Sequence, residues 1–251
     1  MKIQHLNESI KSLTSDELQS LLETDYSEAY EHAKDGHYIF KGMYMTLDPS
    51  MAHLLEPLKD RKSKNTFNYY TLWMNNSQEW SEYPKRSVIC TNSSREANGY
   101  GFQTFIILPK NGTKIGVCDD SDLWSSFDFG GGMVDASDVN YFFNAMFEKF
   151  YKKTPETYED MVGMLKGIEV NDETLNYVSS AMSSQGLSKS KLLNIFKEHG
   201  AYGLFASLFS TKGFEMTTVG GVHQYNDKPR EVWFDNQFIA IDIESKSDII
   251  R

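Results

Sequence analysis

Glu231 lies in Pro229-Arg230-Glu231-Val232-Trp233-Phe234-Asp235, an acidic residue inside a run that otherwise reads as an apolar strand. After a turn comes a second strand pattern, Gln237-Phe238-Ile239-Ala240-Ile241-Asp242. Burying a carboxylate is costly unless it is paired, so such a residue has either a partner or a task. Two earlier segments offer groups that could share the task. Tyr38-Ile39-Phe40-Lys41-Gly42 carries a cation near a strand end, and Ser87-Val88-Ile89-Cys90-Thr91-Asn92 ends in a hydroxyl and an amide. Cation, hydroxyl and carboxylate thus follow one another along the chain as a three-part pattern.

Other chemistries find less support. Asp119, Asp120 and Asp122 could hold a hard cation, but acidic turn residues also cap locally. His199 and His223 have no partner at metal-ligand spacing, and no metal ligand set is expected. Gly130-Gly131-Gly132 could cradle an anion ahead of a helix, yet it lacks the Lys-Ser/Thr pair of a P-loop and reads better as a linker. The G-x-S-x-G elbow of serine hydrolases is absent. Opposed carboxylates of the glycosidase kind stay open, because nothing in the sequence fixes which ones face each other.

The elements that must position these groups form three blocks. Thr14-Ser15-Asp16-Glu17 is a capping box, and Leu18, Leu21, Leu22 and Tyr26 recur at helical spacing, predicting one helix that stops near Gly36. A strand over His37 to Thr46 is predicted next, then a charged loop over Pro57 to Asn65 and a short aromatic helix over Asn68 to Met74. Strands at Arg86 to Thr91, Phe102 to Leu108 and Lys114 to Cys118 follow. Asn111-Gly112 predicts a hairpin between the last two, since this pair accepts the positive φ that such a turn needs. From about 135 to 209 the pattern is helical, with Tyr141, Phe142, Phe150, Leu165 and Leu192 expected to face inward. From Phe214 strands return. The expected fold is α+β, with residues 1–134 forming the first part of a β-rich core, 135–209 a helical insertion and 210–251 the strands that complete the core.

Composition narrows the setting. The 251 residues are 40% hydrophobic and 24% charged, as in ordinary globular proteins, and 14% aromatic. Formal charge is 25 − 35 = −10, which argues against general duplex nucleic-acid binding. Lys59, Arg61, Lys62 and Lys64 read as a solvated loop. Cys90 and Cys118 are too few for a disulfide framework and are expected to be free, buried thiols. No apolar run reaches membrane-spanning length and no signal-peptide core is present, so no membrane association and a cytoplasmic location (host cytoplasm, or a virion) are expected. On that ground the N-x-Ser/Thr triplets at Asn75, Asn92 and Asn111 are read as chance.

The three-part pattern resembles the mono-ADP-ribosyltransferase family, in the branch marked by a basic residue, a Ser/Thr strand and a glutamate. Tyr38-Ile39-Phe40-Lys41-Gly42 is similar to its first strand, and Asn65-Thr66-Phe67-Asn68-Tyr69-Tyr70 to its following helix. Cys90-Thr91-Asn92 with Ala97 and Tyr100-Gly101 is similar to its Ser-Thr-Ser strand end. Ile106-Ile107-Leu108-Pro109-Lys110-Asn111-Gly112 looks like the next strand and turn, and Arg230-Glu231-Val232-Trp233-Phe234 like the closing catalytic element. The likeness covers roughly Tyr38 to Lys114 and Phe214 to Ile243. Trp80-Ser81-Glu82-Tyr83-Pro84-Lys85-Arg86-Ser87 is also similar to tailed-phage proteins.

The resemblance implies a split β-sheet core and transfer of ADP-ribose from NAD to a macromolecular acceptor. It assigns Lys41 and Gly42 to the cofactor phosphates and Thr91 to orienting the ribose. Tyr100 or Phe102 would stack on nicotinamide, and Glu231 would stabilise the positive charge that develops at the ribose C1′. Three residues depart from the family. Lys41 replaces an Arg and loses its bidentate fork. Cys90 and Asn92 replace two serines. Pro229 stands where transferases acting on Arg or small GTPases often carry an acidic or amide residue, which argues against Arg as acceptor. The alternatives are a non-catalytic virion or interaction protein that binds a protein partner through its helical block, and a hydrolase or nucleotide-modifying enzyme using Asp119, Asp122 and Glu231.

Overall fold

A computed structural model describes residues 9–57, 67–127, 136–184, 189–245 and 249–250. The Lys59–Lys64 basic stretch and the Gly130-Gly131-Gly132 run lie outside the described residues. In chain order the elements are β1 (Ser9–Leu13), α1 (Ser15–Glu23), α2 (Ser27–Lys34), β2 (Ile39–Met43), β3 (Ala52–Glu56), α3 (Tyr69–Asn76), β4 (Val88–Thr91), α4 (Ser94–Asn98), β5 (Gln103–Pro109) and β6 (Lys114–Cys118). They continue with α5 (Leu123–Ser126), α6 (Ala136–Tyr151), α7 (Tyr158–Gly167), α8 (Asp172–Ser184), α9 (Lys189–Leu208), β7 (Phe214–Thr218), β8 (Glu231–Phe234) and β9 (Phe238–Asp242).

The chain is mixed α and β and divides into two compact units. One comprises Met1–Arg61, Tyr83–Asp122 and Phe214–Arg251; the other comprises Lys62–Glu82 and Leu123–Gly213. This moves the expected 134/135 and 209/210 boundaries and adds α3 to the helical unit. The reason is aromatic packing. Trp73 meets Tyr202 and Phe205, Tyr69 meets Phe147, and Phe127 lies edge-on to Phe209 at 5.2 Å. The Trp80 indole N–H donates to the Phe209 carbonyl at 2.9 Å. On α6, Phe142, Phe143, Met146 and Phe147 are buried, as are Leu165 and Leu192, whereas Tyr141 is exposed and Phe150 only half-buried, against expectation. The helical stripe is therefore rotated by one residue, with Phe143 rather than Tyr141 facing inward. The helical pattern that starts near Ser188 is expected from the sequence to end at His199-Gly200, and the backbone does leave helical geometry at Gly200 (φ 67°); a further helical segment then runs to Leu208.

The other unit is built on one antiparallel sheet in the order β1-β3-β9-β5-β2-β4-β8-β6-β7. Its middle strands read as continuous apolar runs because they are covered on both faces: Phe105, Ile106, Ile107 and Leu108, and Phe238 through Ile241, are all buried. At one edge β1 is largely exposed and polar, which blunts further strand pairing. The Thr14–Glu17 capping box is present in both directions, with Glu17 N–H donating to Thr14 Oγ1 at 3.3 Å and Thr14 N–H to Glu17 at 3.0 Å. Hydrogen bonds from Lys11, then from Thr14, hold the Glu17 carboxyl at about 2.

Two expectations here are corrected. The N-terminal helix is broken into α1 and α2. In addition, β5 and β6 do not form a hairpin: β5 lies between β2 and β9, and β6 between β8 and β7. The Asn111-Gly112 turn is real, with Gly112 at φ +70°, but it serves another end. The Asn111 amide donates to Thr24 O at 2.7 Å and to Ser27 at 3.0 Å, while its carbonyl accepts from Glu28 N–H at 3.0 Å. Asn111 thereby supplies the N-terminal cap of α2 that Tyr26 cannot give. The turn docks on this junction, and its two flanking strands enter the sheet at different places.

Candidate functional site

The strands bearing the three-part pattern are neighbours: β2, β4 and β8 lie side by side in that order. Between β4 and β8 four residue pairs are in register, and the last joins Thr91 directly to Glu231. Direct cross-strand partners have Cβ atoms about 4.5–5.5 Å apart, so hydroxyl and carboxylate share one face of the sheet. Between β2 and β4 one pair, Phe40↔Thr91, carries the junction, against five pairs between β2 and β5. Because Phe40 is the residue paired with Thr91, Lys41 stands on the opposite face of the sheet from Thr91 and Glu231, and its ammonium donates to Ile89 O at 2.9 Å across this thinly paired junction.

Local hydrogen bonds fix each group. The Thr91 hydroxyl accepts from Ser93 N–H at 3.1 Å, and the Ser93 side chain in turn caps α4. Glu231 N–H donates to Asp120 O at 3.0 Å. Asn92, one of the departures from the family pattern, clamps the segment leading into Glu231. Its amide donates to Tyr225 O at 2.8 Å and Lys228 O at 2.9 Å, and its carbonyl accepts from Arg230 N–H at 2.8 Å. A serine could not span these three groups. Cys90, the other departure, belongs to the buried hydrophobic core, where a small apolar side chain fits. Cys90 and Cys118 are both buried, and neither forms a disulfide.

Glu231 itself is paired. Arg86 Nη2 donates to its Oε1 at 2.6 Å, with both side chains about one-tenth exposed. Arg86 is the residue that sequence reasoning missed as a site residue. Its only signal was a second charge beside an apolar strand, matching that of Glu231.

Gly42 and Gly101 permit backbone-to-backbone contact beside this pair of strands. A Cβ on Gly42 would stand 2.1 Å from Ala97 O, and one on Gly101 would stand 2.2 Å from Met43 N. The turn after α4 thus lies against β2, fastened by Phe102 N–H donating to Met43 O at 2.9 Å. Gly42→Ala should therefore destabilise the protein by about 1–3 kcal/mol, the cost of overpacking. Urea unfolding measures it, and an unchanged midpoint would show that the turn yields freely.

This turn presents Tyr100 and Phe102, both exposed. Partial burial raises the Tyr100 hydroxyl above its usual pKa, and Asp122, Glu231 and Glu96 raise it further against Arg86. Tyr100 is thus within electrostatic reach of Glu231. Phe102 instead contacts Tyr44, edge-on at 5.2 Å.

The acidic alternative is dispersed. Asp119 is held by Arg230 at 3.1 Å and Lys228 at 3.3 Å, while Glu231 is held by Arg86. Arg230 also grips both oxygens of Asp227 and, by that hydrogen bond, holds the Asp227 carboxyl below its usual range. Among the described residues no group of three or more His, Cys, Asp or Glu side chains is arranged to hold a metal ion. Nor, among them, is any helix long and apolar enough to cross a membrane. A scan of family models and searches of curated proteins and solved structures give no match to this chain.

Proposed function

We propose that the β2-β4-β8 seam is an NAD site of the ADP-ribosyltransferase type, and that the protein transfers ADP-ribose to a macromolecular acceptor. The observation that carries this reading is the direct pairing of Thr91 with Glu231, with the Lys41 strand next in order. Thr91 and Glu231 come from distant parts of the chain to one face of adjacent strands, and Lys41 lies one strand over on the opposite face.

In this reading the Lys41 ammonium binds the cofactor phosphates, exchanging its bond to Ile89 O for charge-assisted ones. The Thr91 hydroxyl orients the ribose, and Tyr100 supplies an aromatic face beside it. The bond between C1′ and the nicotinamide nitrogen breaks, and its electron pair leaves with nicotinamide. The acceptor nucleophile bonds to C1′ and gives up its proton to solvent. Glu231, held in place by Arg86, lies against the positive charge that builds on the ribose in between.

Calorimetric titration should show saturable NAD binding, and Lys41→Ala should weaken it about tenfold or more, the worth of a hydrogen bond to a charged group. Absence of binding at millimolar NAD would overturn the reading. The Arg86–Glu231 pair favours a second one, in which the arrangement is kept for its fold and the protein is a non-catalytic interaction protein. NAD binding weakened by Lys41→Ala decides for the first.

A further inference from the structure

At the β1 end of the sheet a serine and a histidine meet across two strands. Ser12 on β1 is the direct partner of His53 on β3, and the Ser12 hydroxyl lies 3.2 Å from His53 Nδ1. Strand alternation explains the close approach. Lys110 N–H donates to Gln237 O, which fixes Gln237, Ile239 and Ile241 as the residues whose backbones bond toward β5. Phe238 and Ala240 therefore bond to β3, through Leu55 and His53, and Leu54 and Ala52 are left to bond to β1. Ser12 and His53 are thus a pair without backbone bonds between them, the kind in which side chains stand closest. The same alternation turns the Ser12 N–H away from β3, toward the outer side of β1, the end strand of the sheet among the described residues.

The far side of the ring decides which nitrogen is bare. His53 Nε2 lies 3.0 Å from Asp48 O, a backbone carbonyl that can only accept, so Nε2 carries the proton. In the neutral ring Nδ1 then offers its lone pair, and the Ser12 hydroxyl donates to it. His53 is 2% exposed and held on a strand, whereas Ser12 is exposed. A hydroxyl open to solvent, a base within hydrogen-bond reach and a third group that orients the base together make an activated nucleophile.

We propose that Ser12 is a nucleophilic site, with His53 as its general base, that takes carboxylic esters. Ser12 Oγ bonds to the ester carbonyl carbon, and its proton passes to His53 Nδ1. The Ser12 N–H is the donor offered to the carbonyl oxygen as that oxygen becomes charged. The bond from the same carbon to the alcohol oxygen breaks, and the departing oxygen takes the proton from His53. Water then repeats the sequence on the acylated serine, releasing the carboxylic acid and restoring Ser12. This site is independent of the reading of Glu231.

The test treats the full-length protein with a fluorescent phosphonofluoridate, in which attack by Ser12 forms a P–O bond and expels fluoride, and locates the label by peptide mapping. The label is expected on Ser12 and not on Ser9, an exposed serine of the same strand that pairs with Glu56 instead of a histidine. Ser12→Ala should abolish the label, and His53→Gln should slow it about 10²-fold or more, the worth of a general base. Hydrolysis of p-nitrophenyl acetate should be faster with wild type than with Ser12→Ala. Equal labelling of Ser9 and Ser12, or none on Ser12, would overturn the proposal and leave Ser12 as the hydrogen-bond partner of a buried ring. So would equal labelling rates in wild type and a folded His53→Gln; should that variant fail to fold, the comparison of Ser12 with Ser9 decides. A label on Ser12 without nitrophenol release above the Ser12→Ala level would overturn the choice of esters.

Discussion

Replacing Arg86 by methionine should lower the unfolding free energy by about 3–5 kcal/mol, because it takes the guanidinium away from a Glu231 charge that is shielded from water. The side chains are nearly dry and their 2.6 Å contact is short, so little solvent screening is available to soften the loss. A buried pair need not add much net stability, since two charges had to be stripped of water to form it. The asymmetry is the point. Arg86→Met combined with Glu231→Leu removes both charges and should recover most of the loss. Urea unfolding of the two single variants and the double variant measures the coupling. A loss below about 1 kcal/mol, the figure for an exposed ion pair, would show that water reaches the pair in solution.

The parts of this architecture that follow from local pattern were legible in the sequence. Alternating or continuous apolar runs announced β4, β5, β6, β8 and β9, and the capping residues placed the start of α1. Glu231 could be singled out because a carboxylate in an apolar strand violates the strand's own pattern. Thr91 and Lys41 were legible only through the order of motifs. Their adjacency depends on which strands pair, and pairing is set by contacts distant in the chain.

What escaped the sequence escaped for physical reasons. β1 and β3 are short, and β1 is polar because it lies at a sheet edge, so neither carries a clear period of two. The Asn111-Gly112 turn was visible, but not that Asn111 would spend its side chain capping α2, nor that β5 and β6 would pair with other strands. Helical periodicity could not choose between Tyr141 and Phe143 for the inner face, because aromatic residues at adjacent positions fit either stripe. Arg86 lay in view as a residue at a strand entrance. Its role appears only when β8 is laid against β4, which puts the two charges together.

Glu231→Gln should reduce nicotinamide release from NAD by about 10²–10³-fold while leaving NAD affinity little changed. The argument is electrostatic. Departure of nicotinamide leaves a cationic ribose, and a fixed carboxylate at the Thr91–Glu231 pair favours that state over the neutral bound cofactor. Glutamine keeps the shape and an oxygen that can accept from Arg86, which softens but does not remove the cost of leaving the buried guanidinium without its counter-charge, so folding of the variant is measured alongside its turnover. The effect therefore falls on turnover rather than on binding, as it must for a group that acts in the transition state. The deciding measurement follows nicotinamide release by wild type and Glu231→Gln side by side, with and without lysate to supply acceptors, and with urea unfolding to show that both are folded. Turnover in the wild type with collapse in Glu231→Gln is the expected result. Equal turnover in the two, or none in a wild type that binds NAD, would contradict the assignment of catalysis to Glu231.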